Sequence, residues 1–298
     1  MKSKITEPLI LLPVIAGIMW GSSGTFVRTM SSAGLGRVEI LSTRFFLAAI
    51  MLLIYILIRN RDLLVVSKKE IPYILGLGAS VIGLNFFYNE AVADLSLSLA
   101  AVLLGMAPVF VIFSAAIIFK ESITRRKILC IGGAILGCVL VSGMADHGIG
   151  SVSTIGIFMG IMAAFVYSFY SIFTKILLLK GRTSITVTFY GILVAAIVLI
   201  PLTDFASVGD YVTSDPLKNI VVVVAHAVMV AVLPYLFYGY ALNKVEAGVA
   251  STIVAGMEPI TATCCGLAFF GETPTFLILL GVALTIFALW KLCSSPSE

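Results

Sequence analysis

Apolar residues run through this chain in long unbroken stretches rather than in alternation with polar ones. Cutting at clusters of charge, Gly, Pro and Ser leaves ten stretches, at 8–29, 37–58, 71–92, 96–119, 127–144, 152–178, 184–202, 218–241, 246–270 and 274–292. A helix needs about 20 apolar residues to cross the hydrocarbon layer of a bilayer. A membrane strand would need about half as many and would alternate its faces. The pattern therefore predicts an all-α membrane protein with ten transmembrane helices, numbered here as spans 1 to 10. Lys2 and Lys4 ahead of the first stretch resemble the start of a secretion signal, but no small-residue cleavage site precedes Trp20 and nine more spans follow. Span 1 is expected to be a retained helix.

Composition fixes the solvent. Of the 298 residues, 60% are hydrophobic and 11% charged, with a mean hydropathy of +1.13, against about 25% charged in a soluble protein. Ten spans leave no room for a globular head, and the net charge of +4 sits in short loops, which argues against nucleic-acid binding. Placing the N-terminus in the cytoplasm puts fifteen of the nineteen basic residues on the inner side, with Arg28, Arg37, Arg44 and Lys218 as the exceptions. The loop at 203–217 carries Asp204, Asp210 and Asp215 and no basic residue. The excess of Lys and Arg on one side predicts a multi-pass protein of the cytoplasmic (inner) membrane with both termini cytoplasmic. Cys130, Cys138, Cys264, Cys265 and Cys293 lie within or at the end of apolar runs without metal-site spacing, so they read as free thiols, with no metal and no cofactor expected.

The chain repeats itself. FYNEAVADLSLSLAAVLLGMAPVFVIFSAAIIFKES, from Phe87, lies over FYGYALNKVEAGVASTIVAGMEPITATCCGLAFFGET, from Phe237, with one inserted residue. Gly105-Met106-Ala107-Pro108 meets Gly256-Met257-Glu258-Pro259, and Phe119-Lys120-Glu121-Ser122 meets Phe270-Gly271-Glu272-Thr273. The halves, 1–148 and 149–298, hold five spans each. An odd number forces the second copy to enter the membrane from the opposite side, so the two repeats are inverted, an architecture shared by many secondary transporters.

Several motifs then fall into a known order: MWGSSGTFVR in span 1, TRFFLAA in span 2, FYNEAVADLSLSLAAVL leading into LGMAPVFV and FKES, and GMEPITA followed by FGET. Together they resemble the EamA family of the drug/metabolite transporter superfamily, over essentially the whole chain. The resemblance implies a ten-helix exporter or exchanger of small metabolites with a central cavity lined by spans 1, 3, 4, 6, 8 and 9. It names no substrate.

Glu258 is the first candidate, halfway along span 9, where an ionised carboxylate costs at least a few kcal/mol. Its helical neighbours Ser251, Ala255, Ala262 and Cys265 are small, so the carboxylate should face the bundle. There it binds a substrate amine or carries a proton, or else pairs with backbone and hydroxyl groups beside Pro259. Ala107 occupies the matching place in span 4, which makes the site chemically one-sided. Pro108 and Pro259 each remove a helix hydrogen bond and should kink or unwind spans 4 and 9, exposing carbonyls near Met106 and Glu258. Trp20 and Ser22, with Gly21, Ser23 and Gly24, give span 1 a thin polar face that lines the cavity or packs on a neighbour. Asn85 and Tyr88 in span 3, Tyr167 and Tyr170 in span 6, and Tyr235 and Tyr238 in span 8 form an aromatic, hydroxyl-bearing lining suited to an amphipathic or cationic substrate.

Three residues are secondary candidates. Arg44 either snorkels to the headgroups or joins helices, with a substrate carboxylate as the alternative partner. Glu90 sits at the outer mouth, solvated or part of an outer gate, and His226 is either a neutral hydrogen-bonder or a proton relay. Glu121 and Glu272 are expected to anchor helix ends. The chain has no phosphate-binding loop, so ATP is not expected to drive it. It also lacks clustered acids, bases or ligands for an enzyme. The expected activity is secondary transport of an amino acid or related amine by alternating access, with proton antiport through Glu258; the alternatives are export of organic cations or drugs, and uncoupled uniport or exchange. A monomer suffices sterically, and a homodimer is compatible.

Overall fold

The computed structural model describes residues 7–95, 97–141, 153–271 and 275–293. Lys2, Lys4, His147, Glu272, the boundary at 148 and the side chains of Cys138 and Cys293 lie outside the described residues. Among the described residues every regular element is a helix, and each predicted stretch is helical. Seven runs are long and apolar enough to cross a membrane by length and composition alone. Span 2 is Arg37–Arg59, span 3 Ile71–Asp94, span 6 Thr154–Leu179, span 7 Ser184–Leu199 and span 9 Ala247–Phe270. Span 5 is Arg125–Val141 and span 10 Phe276–Cys293. The remaining three are interrupted.

Each interruption has a local cause. Span 1 is divided into Glu7–Gly21 and Ser23–Ser32 at Ser22, whose hydroxyl donates to the Met19 carbonyl at 2.7 Å and so competes with the helix ladder. Span 4 is divided into Leu97–Leu104 and Ala107–Phe119. Pro108 falls in the first turn of the second piece, where its missing N–H costs no hydrogen bond. Span 8 runs as Pro216–His226, a π turn at Ala227–Val232, and Leu233–Leu242. Pro234 cannot donate to the carbonyl four residues back, that of Val230, and its ring would clash there. The wider turn accommodates both effects. Span 9 is helical on both sides of Pro259, without the break seen at Pro108 in span 4, and membrane helices tolerate proline where surrounding groups hold the backbone.

The packing has the exchange symmetry of two copies. Span 3 lies along span 6 as span 8 lies along span 1, and span 1 lies along span 9 as span 6 lies along span 4. Spans 2 and 7, 4 and 9, and 5 and 10 pair with their own equivalents. Spans 4 and 9 run in opposite directions, since Glu121, just past the end of span 4, accepts the backbone N–H of Ala247 at the start of span 9, at 3.4 Å. One end of the bundle, called here the basic end, gathers the loops with Arg182–Glu70, Lys175–Glu121 and Lys127–Glu246 ion pairs. The opposite, acidic end carries the Arg37–Glu90 pair and the loop after span 7. That loop contains a helix, Phe205–Ser214, which the sequence reading left as connection. Asp204 caps it by accepting from the N–H groups of Ala206 and Ser207 at 3.0 and 3.3 Å, and buried Tyr211 clamps it onto Met30, Ile40 and Val223.

Spans 1 and 9 approach to near backbone contact. A Cβ built on Gly17 would lie 2.7 Å from Met257 Cβ, and one on Gly21 would lie 2.6 Å from the Glu258 carbonyl oxygen. Small residues four apart allow this approach. Ile58, Ile117, Leu129 and Leu217 are among the large apolar side chains left exposed on the outer surface, as a lipid-facing bundle requires.

Candidate functional site

Glycines at 17 and 21 bring span 1 onto span 9 at the level of Glu258, and this contact sets one wall of a central cavity. Trp20, Gly21 and Ser23 of span 1 face Glu258 and Ala262 of span 9; Leu84, Asn85 and Tyr88 of span 3, Ala101 and Leu104 of span 4, Tyr167 of span 6, and Val230 and Tyr235 of span 8 close the sides. Arg44 of span 2 completes it. Space for the centre of a water molecule amounts to about 50 Å³, enough for a few waters but not for a metabolite. Admitting a substrate therefore requires the helices to move. A larger groove of about 360 Å³ lies at the acidic end between spans 2, 7, 8 and the helix Phe205–Ser214, but no charged side chain lines it. The charged side chains face the smaller, central cavity.

Two opposite charges face this cavity. Glu258 is 6% exposed and Arg44 2%, yet among the described residues no ion pair joins them. The Arg44 guanidinium turns inward rather than snorkelling, which corrects the headgroup expectation. The cause is local: Nη2 donates to Asn85 Oδ1, and the cation lies 4.6 Å from the centre of the Phe45 ring. Asn85 is itself fixed, donating to the Val81 carbonyl at 2.7 Å and to the Tyr235 hydroxyl at 3.2 Å. One N–H of the guanidinium, at Nε, is buried without a hydrogen-bond partner among the described residues. A buried charge with unused donors is costly alone and ready for an acceptor.

Beneath the cavity sits a knot of aromatic rings. Trp20 lies 5.1 Å from Tyr235, 5.7 Å from Tyr238, 6.4 Å from Tyr167 and 6.5 Å from Tyr170, measured between ring centres. Its indole N–H donates to the Val230 carbonyl at 3.1 Å. That carbonyl is the one Pro234 leaves without its helical donor, so a proline in span 8 orients a tryptophan in span 1. Tyr238 exchanges a hydrogen bond of 2.8 Å with Ser171.

The predicted site residues are therefore divided. Trp20, Asn85, Tyr88, Tyr167, Tyr235, Glu258 and Arg44 line the cavity, and Tyr170 and Tyr238 form the second layer on Trp20. Ser22 does not reach it, its hydroxyl being spent on Met19, and its neighbour Ser23 takes the place. Met106, Pro108 and Pro259 shape their helices outside the lining. Glu90 pairs with Arg37 at 3.0 Å on the acidic end, away from the cavity. His226 is fully buried, stacked 5.4 Å from Phe26, and neither ring nitrogen has a hydrogen-bond partner among the described residues. The sequence reading placed Ser23 on the polar face of span 1 but passed over Val230 and Pro234, although the proline itself was a visible signal.

A charged and aromatic cavity at the centre of a bundle of apolar, membrane-length helices is what a membrane transporter needs. The EamA-like transporter family model matches this chain twice, at residues 8–143 and 154–292, and the chain belongs to that family. The two matches cover spans 1 to 5 and spans 6 to 10. An uncharacterised transporter of Archaeoglobus fulgidus is 26% identical over 91% of this chain and 93% of its own. A pseudopaline exporter of Pseudomonas aeruginosa is 28% identical over 94% of this chain and 93% of its own. A probable terminal-alkyne amino-acid exporter of Streptantibioticus cattleyicolor is 28% identical over 63% and 61%. A solved crystal structure superposes with a TM-score of 0.72 over 96% of each chain at 14% identity, a likeness of fold alone.

Proposed function

We propose that the chain is a secondary transporter of the cytoplasmic membrane that exports a small zwitterionic metabolite, an amino acid or a close relative, by alternating access. The observation that carries this reading is the presence of Glu258 and Arg44, two buried and mutually unpaired charges, on the walls of one central cavity. An α-amino acid brings an ammonium for Glu258 and a carboxylate for Arg44, so its binding neutralises both desolvated charges at once. Two relatives are named as exporters, one of an amino acid, which supports the class. The halves, 1–148 and 149–298, are the units that exchange shapes, with the basic end in the cytoplasm. Glu258 carries the counter-transported proton when no substrate is bound.

A cation or drug exporter is the competing reading, favoured by the rings around Trp20. Arg44 weighs against it, since a lone cation in the cavity would be repelled. Labelled amino acids and labelled organic cations are to be offered to proteoliposomes with and without a pH gradient. Gradient-driven accumulation of amino acids is expected. Flux of cations alone would assign the competing function, and amino-acid flux indifferent to the gradient would make the protein a uniporter.

A further inference from the structure

The repeat extends into spans 1 and 6, where Gly17–Arg28 lies over Ala164–Lys175 without a gap. Trp20 meets Tyr167, Phe26 meets Phe173 and Arg28 meets Lys175. The structure gives the matched residues matched surroundings. Lys175 lies 5.1 Å above the ring of Phe119, and Arg28 lies 4.9 Å above the ring of Phe270, the repeat equivalent of Phe119. From Trp20 to Arg28, and from Tyr167 to Lys175, is eight residues, or about 12 Å along a helix. Spans 1 and 6 belong to opposite repeats, so the two cations flank the cavity at similar distances on opposite sides.

At the basic end the cation has a carboxylate. Lys175 pairs with Glu121, and the two side chains are 13% and 10% exposed. Glu121 also accepts the first N–H of span 9, from Ala247, where the helix dipole adds positive potential. One carboxylate thus ties the ends of spans 4 and 6 to the start of span 9. Beside it, Lys127 donates to the Ser122 carbonyl at 2.9 Å and pairs with Glu246, drawing in span 5. Surface ion pairs contribute little, but this one is largely shielded from water and spans three helices that must separate if the cavity is to open toward that end.

We propose that Lys175 and Glu121 form the gate that closes the basic end, and that Arg28 over Phe270 is its counterpart at the acidic end, the two opening in turn. The assignment rests on the alternating-access reading, but its test does not need flux. With the native cysteines replaced, Ser171→Cys places a thiol between the cavity and the Lys175 gate. Ser23→Cys places one on the cavity wall toward Arg28. A membrane-impermeant maleimide is then added at one end at a time. Glu121→Gln and Lys175→Gln are expected to speed labelling at position 171 from the basic end by about tenfold or more, whereas Lys175→Arg, which keeps the pair, stays slow. Arg28→Gln is expected to do the same at position 23 from the acidic end. Unchanged labelling rates in Glu121→Gln and Lys175→Gln, with lower thermal stability as the sole effect, would make the pair an anchor and overturn the proposal. Equal acceleration from both ends would also overturn it. Should wild-type flux fail while these end-specific rates hold, the transport reading falls and the gate stands.

Discussion

Glu258→Gln is expected to lower apparent affinity for an amino-acid substrate by about 10- to 100-fold, the equivalent of about 1.5–3 kcal/mol for a hydrogen bond to a charged group. The amide keeps the size of the carboxylate and loses its charge, so the cavity's shape is preserved. Because the buried carboxylate has no ion-pair partner among the described residues, its neutralisation removes a desolvation cost, and folded yield should hold or rise. Loss of transport with yield maintained separates a binding role from a structural one. The same variant tests coupling. An outside-acid gradient drives export if each outward substrate is exchanged for a proton, and a Gln at 258 cannot carry that proton. Residual flux should therefore be insensitive to pH gradients. A Glu258→Gln protein with the wild-type response to the gradient would remove Glu258 from the coupling step.

The second large effect comes from a residue with no side chain. Gly21→Leu is expected to separate spans 1 and 9, because even its Cβ would lie 2.6 Å from the Glu258 carbonyl oxygen and 2.7 Å from Thr261 Cβ. Neither a backbone oxygen nor a β-branched carbon can swing aside. Overpacking of this kind costs about 1–3 kcal/mol or more, and here it also moves the backbone that presents Glu258. Transport should fall to background and the melting temperature by about 5 °C or more. Gly132→Leu is the control, since a Cβ there meets nothing within 4 Å. Wild-type stability and flux in the Gly21→Leu protein would mean that the spacing of spans 1 and 9 does not govern the site.

How far the sequence could be read follows from the range of each interaction. The spans were legible because lipid imposes one apolar rule on some twenty residues at a time, and the position of Glu258 was legible from the small residues on its own helical face. Of these, Ser251 and Ala255 are buried and Ala262 lines the cavity. Arg44 was not legible, because its direction is set by Asn85 on another span. Nor was the π turn of span 8, which exists where Pro234 meets a carbonyl that Trp20 can satisfy. Pro108 and Pro259 look alike in the sequence, yet the first opens a helix and the second lies inside a continuous one, a difference set by what packs around each. The glycine pair at 17 and 21 is a small-xxx-small motif and was open to reading, as was the match of Arg28 to Lys175. The latter was obscured because Lys175 reads as one more loop charge until the fold shows it over the Phe119 ring and paired with Glu121.

The most direct test sets ligand groups against residue groups. Binding of a neutral α-amino acid, its carboxamide and its deaminated acid should be measured by calorimetry on the wild-type protein, Glu258→Gln and Arg44→Gln. If the two charges divide the zwitterion between them, the wild type prefers the amino acid over both analogues. Glu258→Gln then loses its preference over the deaminated acid alone, and Arg44→Gln its preference over the carboxamide alone. Equal loss of both preferences in each variant, or a wild-type protein that binds all three alike, would contradict a zwitterion held between Glu258 and Arg44.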